Sequence, residues 1–292
     1  MPDSTPAGLV LVDKPAGISS FAAISRLRSP YGKKLGHAGT LDPFATGLLL
    51  VLTGRATRLA SYLVGADKTY EATIQFGARS TTEDPEGEIT ATGQRTSEQS
   101  VLDALPGLTG EIEQIPPAAS AIHIDGERAY RRFRRGETVT VPARRVTVHT
   151  FTLMHFDSDT QEATVTVRCG SGTYIRSLAR ALGELLGTGA YLTQLRRTEV
   201  GSFSVADAAD PDLISAAPAG TRCWLPAGEA VSGLPQHRMT ADERDVVAHG
   251  GRISVDASWV DDVVLLDENG VLIAVAVAEA GVAAPKIVLV PA

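Results

Sequence analysis

Apolar and polar positions alternate from Asp67 to Phe76, with Tyr70, Ala72, Ile74 and Phe76 on one face and Thr69, Glu71, Thr73 and Gln75 on the other. A period of two is that of a half-buried strand, and it places Tyr70 on the inner face. Ala163 to Cys169 repeats the pattern, with Val165, Val167 and Cys169 together. Leu48 to Leu52 is short and apolar throughout, which predicts a strand covered on both sides. Near the N-terminus, Gly8 to Lys14 predicts a short strand stopped by Pro15-Ala16-Gly17. Ser19 and Ser20 then cap a helix with Phe21, Ile24 and Leu27 at helical spacing. A longer helical stripe runs through Ile175, Leu178, Ala179, Leu182, Leu185 and Leu186 to a terminating Gly187. Ser97 to Leu105 is a shorter helix closed by Pro106-Gly107.

Beyond Ser204 the chain turns Ala-, Asp- and Pro-rich, a connecting region that leads into Leu225-Pro226. In the last part, Thr240 and Glu243 form a capping box and Gly250 ends the helix. Ile253 to Val255, Val263 to Leu266, Val271 to Val277 and Ile287 to Val290 read as strands, with Glu268-Asn269-Gly270 as a tight hairpin. Short strands with one helix predict a small β-barrel, and hence two domains, 1–225 and 226–292.

Composition changes this picture in three ways. A net charge of −7 over 292 residues argues against a protein that holds nucleic acid by bulk charge, so any such contact must be local. Two cysteines, Cys169 and Cys223, supply neither a disulfide framework nor metal-ligand spacing, as expected in a reducing cytoplasm. The polar start Met1 to Gly8 is no signal peptide, and no apolar run approaches the ~20 residues of a membrane span.

Candidate chemistry gathers in a few stretches. Gly36-His37-Ala38-Gly39-Thr40-Leu41-Asp42-Pro43 puts a carboxylate on a tight loop beside the Leu48 to Leu52 strand, where desolvation and neighbouring charge act most strongly. Arg176 lies in the first turn of its helix, against the dipole at a cost of ~0.3–1 kcal/mol, which predicts either an anionic partner or a surface side chain reaching out to solvent. Gly170-Ser171-Gly172-Thr173 before that helix carries neither a Walker sequence nor a dinucleotide fingerprint. Between Asp125 and Arg145, seven arginines face Asp125, Glu127 and Glu137, with Tyr130 and Phe133 interleaved. Guanidinium forks match phosphates and aromatics stack on bases, so the stretch suits RNA. Gly77 to Gly87, with Asp84 and Glu86, reads as a solvated acidic turn, and Leu192 to Thr198 as a core strand with basic flanks.

Together these segments resemble the bacterial TruB family, the tRNA pseudouridine-55 synthases. The resemblance rests on G-H-x-G-x-L-D-P-x-A-x-G from Gly36, the Asp13-Lys14-Pro15 turn with Ser19-Ser20, Lys68 with Tyr70, Pro116-Pro117 through Tyr130, and Gly172-Thr173-Tyr174-Ile175-Arg176. The C-terminal part resembles the PUA domain. Departures are Thr81 for an aspartate, Pro85 for an alanine, Ala119 for a tyrosine and His123 for a lysine. The resemblance implies an α+β fold with a mixed, largely antiparallel sheet flanked by helices and loops, and an RNA-gripping insert at about 123–148. It implies isomerisation of one uridine in the tRNA T loop, without cofactor or metal. Asp42 would then be the nucleophile, Arg176 its ion-pair partner, and Tyr70 the residue that stacks on the flipped base and shares in proton transfer. Tyr174 would stand beside them, His37 would hold the T loop, and Leu195 would take part in substrate binding. Arg131, Arg132, Arg134 and Arg135 would grip phosphates. The expected protein is a cytoplasmic monomer that meets the tRNA T arm with no protein partner and no membrane. Competing readings are a guide-RNA-dependent synthase, a non-catalytic RNA-binding or tRNA-folding protein on the same fold, and a glycoside-cleaving enzyme. The last needs a second carboxylic acid in a comparable loop.

Overall fold

The computed structural model describes residues 7–120, 122–124, 126–214 and 221–290. Met1 to Pro6, Asp125 and the Ser215 to Gly220 part of the connecting region lie outside the described residues. In chain order, β1 (Gly8–Lys14), α1 (Ser20–Arg26), α2 (Arg28–Tyr31), β2 (Leu35–Ala38), β3 (Thr46–Thr53), α3 (Ala60–Val64) and β4 (Lys68–Phe76) come first. A hairpin, β5 (Ala78–Ser80) and β6 (Ile89–Ala91), precedes α4 (Glu98–Ala104) and β7 (Gly110–Gln114). The insert holds β8 (His123–Ile124), β9 (Glu127–Arg128) and α5 (Ala129–Arg134), followed by β10 (Arg144–Asp157), β11 (Glu162–Cys169) and α6 (Ile175–Leu185). Then come β12 (Ala190–Val200), β13 (Phe203–Ser204) and β14 (Trp224–Pro226). Last are β15 (Gln236–Arg238), α7 (Ala241–Ala248), β16 (Ile253–Ser254), β17 (Asp261–Leu266), β18 (Leu272–Glu279) and β19 (Val282–Val288).

Ten strands form one sheet in the order β14-β1-β3-β12-β4-β11-β10-β7, with β2 on β3 and β13 on β12. Its neighbours are antiparallel except β12 and β3, so the sheet is mixed and largely antiparallel, as expected. Five strands form a second, curled sheet in the order β15-β17-β18-β19-β16.

The uniform run in β3 follows from its two covered faces. Leu49 and Val51 enter a core with Ile24, Leu27, Ile175, Leu178 and Leu182, while Leu48, Leu50 and Leu52 enter another with Leu9 and Leu11. That second core also contains Val264, Leu266, Leu272, Val275 and Ile287 of the C-terminal sheet, with Leu289 just after its last strand. Each fully buried leucine contributes roughly 1.5–3 kcal/mol, so the two sheets share a substantial seam.

Several element-level expectations change. Phe21 is 64% exposed, because the buried face of α1 runs through Ser20, Ala23, Ile24 and Leu27 instead. Leu185 is 61% exposed at the edge of the α6 stripe. The final strand lies earlier than Ile287 to Val290, running Val282–Val288 after a turn at Ala280 and Gly281. Pro285 hides it in the sequence, yet it sits beside a bulge, where a missing N–H is tolerated. Strand β15 is short and polar, an edge strand without a readable period. Among the described residues no helix is long and apolar enough to cross a membrane.

Candidate active site

Asp42 lies in the loop between β2 and β3, and that loop is clamped from behind. Ser20 Oγ accepts from the Leu41 N–H at 2.9 Å and stands 3.0 Å from the Leu41 carbonyl. Lys14, wholly buried, donates to the carbonyls of Pro15, Ile18 and Pro43 at 2.9, 2.8 and 3.2 Å. Burial lowers its pKa to about 8, against the pull of the Asp42 and Glu86 charges. Two glycines permit the path. Gly39 has φ 91° and Gly47 φ 101°, and a Cβ on Gly47 would lie 2.2 Å from the Arg197 carbonyl.

Arg176 is 2% exposed on the first turn of α6 and reaches Asp42 with two nitrogens. Nη2 donates to Oδ1 at 3.2 Å and Nε stands 3.0 Å from Oδ2. The rest of the guanidinium is satisfied elsewhere: Nη1 donates to Asp84 Oδ2 at 3.0 Å and the Thr82 carbonyl at 2.9 Å, and Nη2 to the Ala119 carbonyl at 3.1 Å. Burial pushes the Asp42 carboxyl above its ordinary value and the Asp84 charge adds to this, while Arg176 and Lys14 pull it back. The Asp42 side chain keeps 33% of its surface exposed, so a reacting atom can approach it.

The acidic stretch in the β5–β6 hairpin is therefore no solvated turn. Asp84 is 3% exposed, with Oδ1 accepting from the Glu86 N–H at 3.0 Å and from Thr82 Oγ1. Its composition is that of a surface loop, and only a partner 92 residues away explains the burial.

Tyr70 lies on the inner face of β4, 8% exposed, directly across from Arg197 of β12. Burial raises the phenol pKa, and the neighbouring Arg197 opposes this. Arg197 is itself buried, donating from Nε to the Leu48 carbonyl at 2.7 Å and from Nη2 to the Gly39 carbonyl at 3.1 Å. It thus ties both ends of the Asp42 loop to the strand facing Tyr70. His37, on β2, has a buried Nδ1 without a hydrogen-bond partner among the described residues; burial and Arg197 lower its pKa, opposed by a backbone hydrogen bond at Gly39. Leu195, 7% exposed, lies opposite Ala72 in the same core as Tyr70. Tyr174 caps α6; Gln114 accepts from its N–H at 2.8 Å and donates to its carbonyl at 3.0 Å, and Arg144 stands 4.9 Å over its ring. Lys14 and Arg197 are given no role by the sequence, although Lys14, a lone cation at the end of the Leu9 to Val12 apolar run, carries a signal.

The insert is less uniformly basic than its sequence. Arg135 forks onto Glu127 at 2.6 and 2.8 Å and reaches Glu137 at 2.7 Å. Arg132 donates to Glu137 at 2.9 Å. Arg131 and Arg134 are exposed and lean on Tyr130, one 3.4 Å from its hydroxyl and the other 5.7 Å over its ring.

Solved structures share this fold. A chain from a complex described as an H/ACA RNP bound to a substrate RNA containing 2'-deoxyuridine superposes with a TM-score of 0.72, at 22% identity, over 97% of this chain and 85% of that one. One from a Cbf5-Nop10-Gar1 complex gives 0.71 at 23% identity, over 97% and 85% of the two chains. Residues 28–175 match the TruB family pseudouridylate synthase N-terminal domain, and residues 176–218 the tRNA pseudouridylate synthase B C-terminal domain. A tRNA pseudouridine synthase B of Leifsonia xyli is 46% identical, covering 87% of this chain and 85% of that protein. Another, of Thermobifida fusca, is 44% identical over 96% and 98% of the two chains. The chain belongs to the TruB family of pseudouridylate synthases, and it is an isomerase.

Proposed function

We propose that the protein converts uridine 55, in the T loop of tRNA, to pseudouridine, with Asp42 as the nucleophile. The observation that carries this reading is the grip of one buried guanidinium on both Asp42 oxygens, which holds the carboxylate ionised and aimed while part of it stays accessible. The uracil leaves C1′, rotates and rejoins through C5, so no electrons are exchanged. A base in folded tRNA must first be flipped out, at a cost of a few kcal/mol. Tyr70 stacks on it. As C5 joins C1′, C5 gives up a proton while N1 gains one, and the buried phenol, its pKa raised, shares in that transfer by accepting a proton as it passes on its own. His37 and Tyr174 hold the rearranged loop, Leu195 lines the base site, and the insert arginines contact phosphates. Residues 1–225 act as the catalytic unit and 226–292 as a PUA-like RNA-binding unit, in a cytoplasmic monomer needing no protein partner.

The test is to incubate the pure protein with an unmodified tRNA transcript and map pseudouridine. One modified site in the T loop is expected. Asp42→Asn is expected to form none while binding tRNA within about tenfold of wild type, since phosphate contacts supply most affinity. Turnover above about a hundredth of wild type in that variant would remove Asp42 from its role.

A further inference from the structure

Glu83, beside Asp84 in the hairpin turn, has a backbone φ of 65°, a region side-chain-bearing residues rarely adopt. It is 9% exposed. Its N–H donates to the Ser80 carbonyl at 3.1 Å, and its carbonyl accepts from the Leu192 N–H on β12 at 3.1 Å. Its carboxylate faces α6, where Ser177 Oγ stands 3.2 Å from Oε2 and Arg180 Nη1 pairs with Oε1. Both partners also reach the Ile115 carbonyl, Ser177 at 2.9 Å and Arg180 at 2.7 Å. A strained backbone and a buried acid at one residue persist only where the surroundings hold them, and such residues gather at functional sites.

We infer that Glu83 is a positioning residue for the isomerisation: pinned by Ser177 and Arg180, it fixes the Asp84 turn against α6 and so sets how Arg176 meets Asp42. Arg176, Ser177 and Arg180 follow one another on the same helix, so a carboxylate holding the last two registers the hairpin against the helix that carries the first. Asp84 Oδ2 and the Thr82 carbonyl, on either side of Glu83, then meet Nη1 of Arg176 together, leaving Nε and Nη2 for Asp42. Glu83 makes no hydrogen bond to Asp42 among the described residues, so its effect passes through Asp84 and Arg176. A displacement of about 1 Å at a reacting group can cost on the order of a hundredfold in rate.

The inference rests on the proposed function and is tested by Glu83→Gly, which keeps the backbone conformation available while removing the carboxylate. Turnover of an unmodified tRNA transcript, KM and the thermal midpoint are measured for this variant, Arg180→Ala and the pair. The expected result is a kcat at least about tenfold lower with KM within about twofold, and a double variant no worse than the poorer single one. Unchanged kcat in Glu83→Gly, or effects that multiply in the pair, would overturn the inference. If Glu83→Gly does not fold, Glu83→Gln keeps an acceptor for Ser177 but removes the charge facing Arg180. A several-fold fall in kcat at constant KM supports the inference there, and a wild-type kcat overturns it. A wild-type protein that makes no pseudouridine overturns the proposed function itself, whereas an active one with normal Glu83 variants overturns only this inference.

Discussion

Arg176 spans two carboxylates with one planar fork, and the two act on each other through it. The Asp42 carboxyl is raised first by burial and further by the Asp84 charge, while Arg176 opposes both. A nucleophile must be ionised, so kcat is expected to fall tenfold per pH unit on the acid side, with the break above the ~4 of an ordinary aspartate. Asp84→Asn removes a negative neighbour, so the break is expected at lower pH. The plateau should drop as well, because Nη1 of Arg176 loses a charged tether. A single-turnover pH series on both proteins checks this. A break that moves upward would mean that Asp84 acts on Asp42 mainly by orienting Arg176.

At the scale of elements, the insert divides into two pairs of arginines. Arg132 and Arg135 are engaged by Glu127 and Glu137, whereas Arg131 and Arg134 sit exposed around Tyr130. Every phosphate that a variant no longer neutralises should reduce the slope of log K against log salt by roughly 0.7–0.9. Arg131→Ala with Arg134→Ala is therefore expected to flatten the slope for tRNA binding more than Arg132→Ala with Arg135→Ala. Anisotropy titrations across a salt series decide it, and equal slopes in all three proteins would mean the insert does not hold phosphates. The alternation in β4 and β11, the capping box of Thr240 and Glu243, and the hairpin at Asn269-Gly270 are legible in the sequence because each is a local preference. The hairpin turn of Asp84 is not, since Ser80, Thr82, Pro85 and Gly87 describe a surface loop until α6 supplies Arg176. Arg197 is hidden for a similar reason: its side chain acts on the carbonyls of Gly39 and Leu48, well over a hundred residues away. The pairing of Asp42 with Arg176 is equally distant, and only the motif resemblance makes it visible.

Across the whole molecule, the seam between the two sheets governs stability. Besides the shared apolar core, Arg58 donates to the Val288 carbonyl at 2.9 Å, Arg55 reaches the Val290 carbonyl, and Tyr62 donates to Asp262 at 2.7 Å. Within the C-terminal sheet Lys286 pairs with the same Asp262 at 3.1 Å, and its ammonium stands 5.7 Å from the Tyr62 ring centre across the seam. Thermal unfolding followed by calorimetry is expected to give one transition, with agreement between calorimetric and van't Hoff enthalpies. Two resolved transitions would mean that the sheets fold independently in spite of the seam.

That seam also bears on how such a gene can change by recombination. A segment with a self-contained core can be exchanged between relatives as a cassette, but here the first strand and the last one contribute to the same interior. A crossover near residue 225 therefore separates Leu9, Leu11 and Leu50 from Val264, Val275 and Ile287, which pack in one core, and a viable chimaera has to inherit both sides of the seam from one parent.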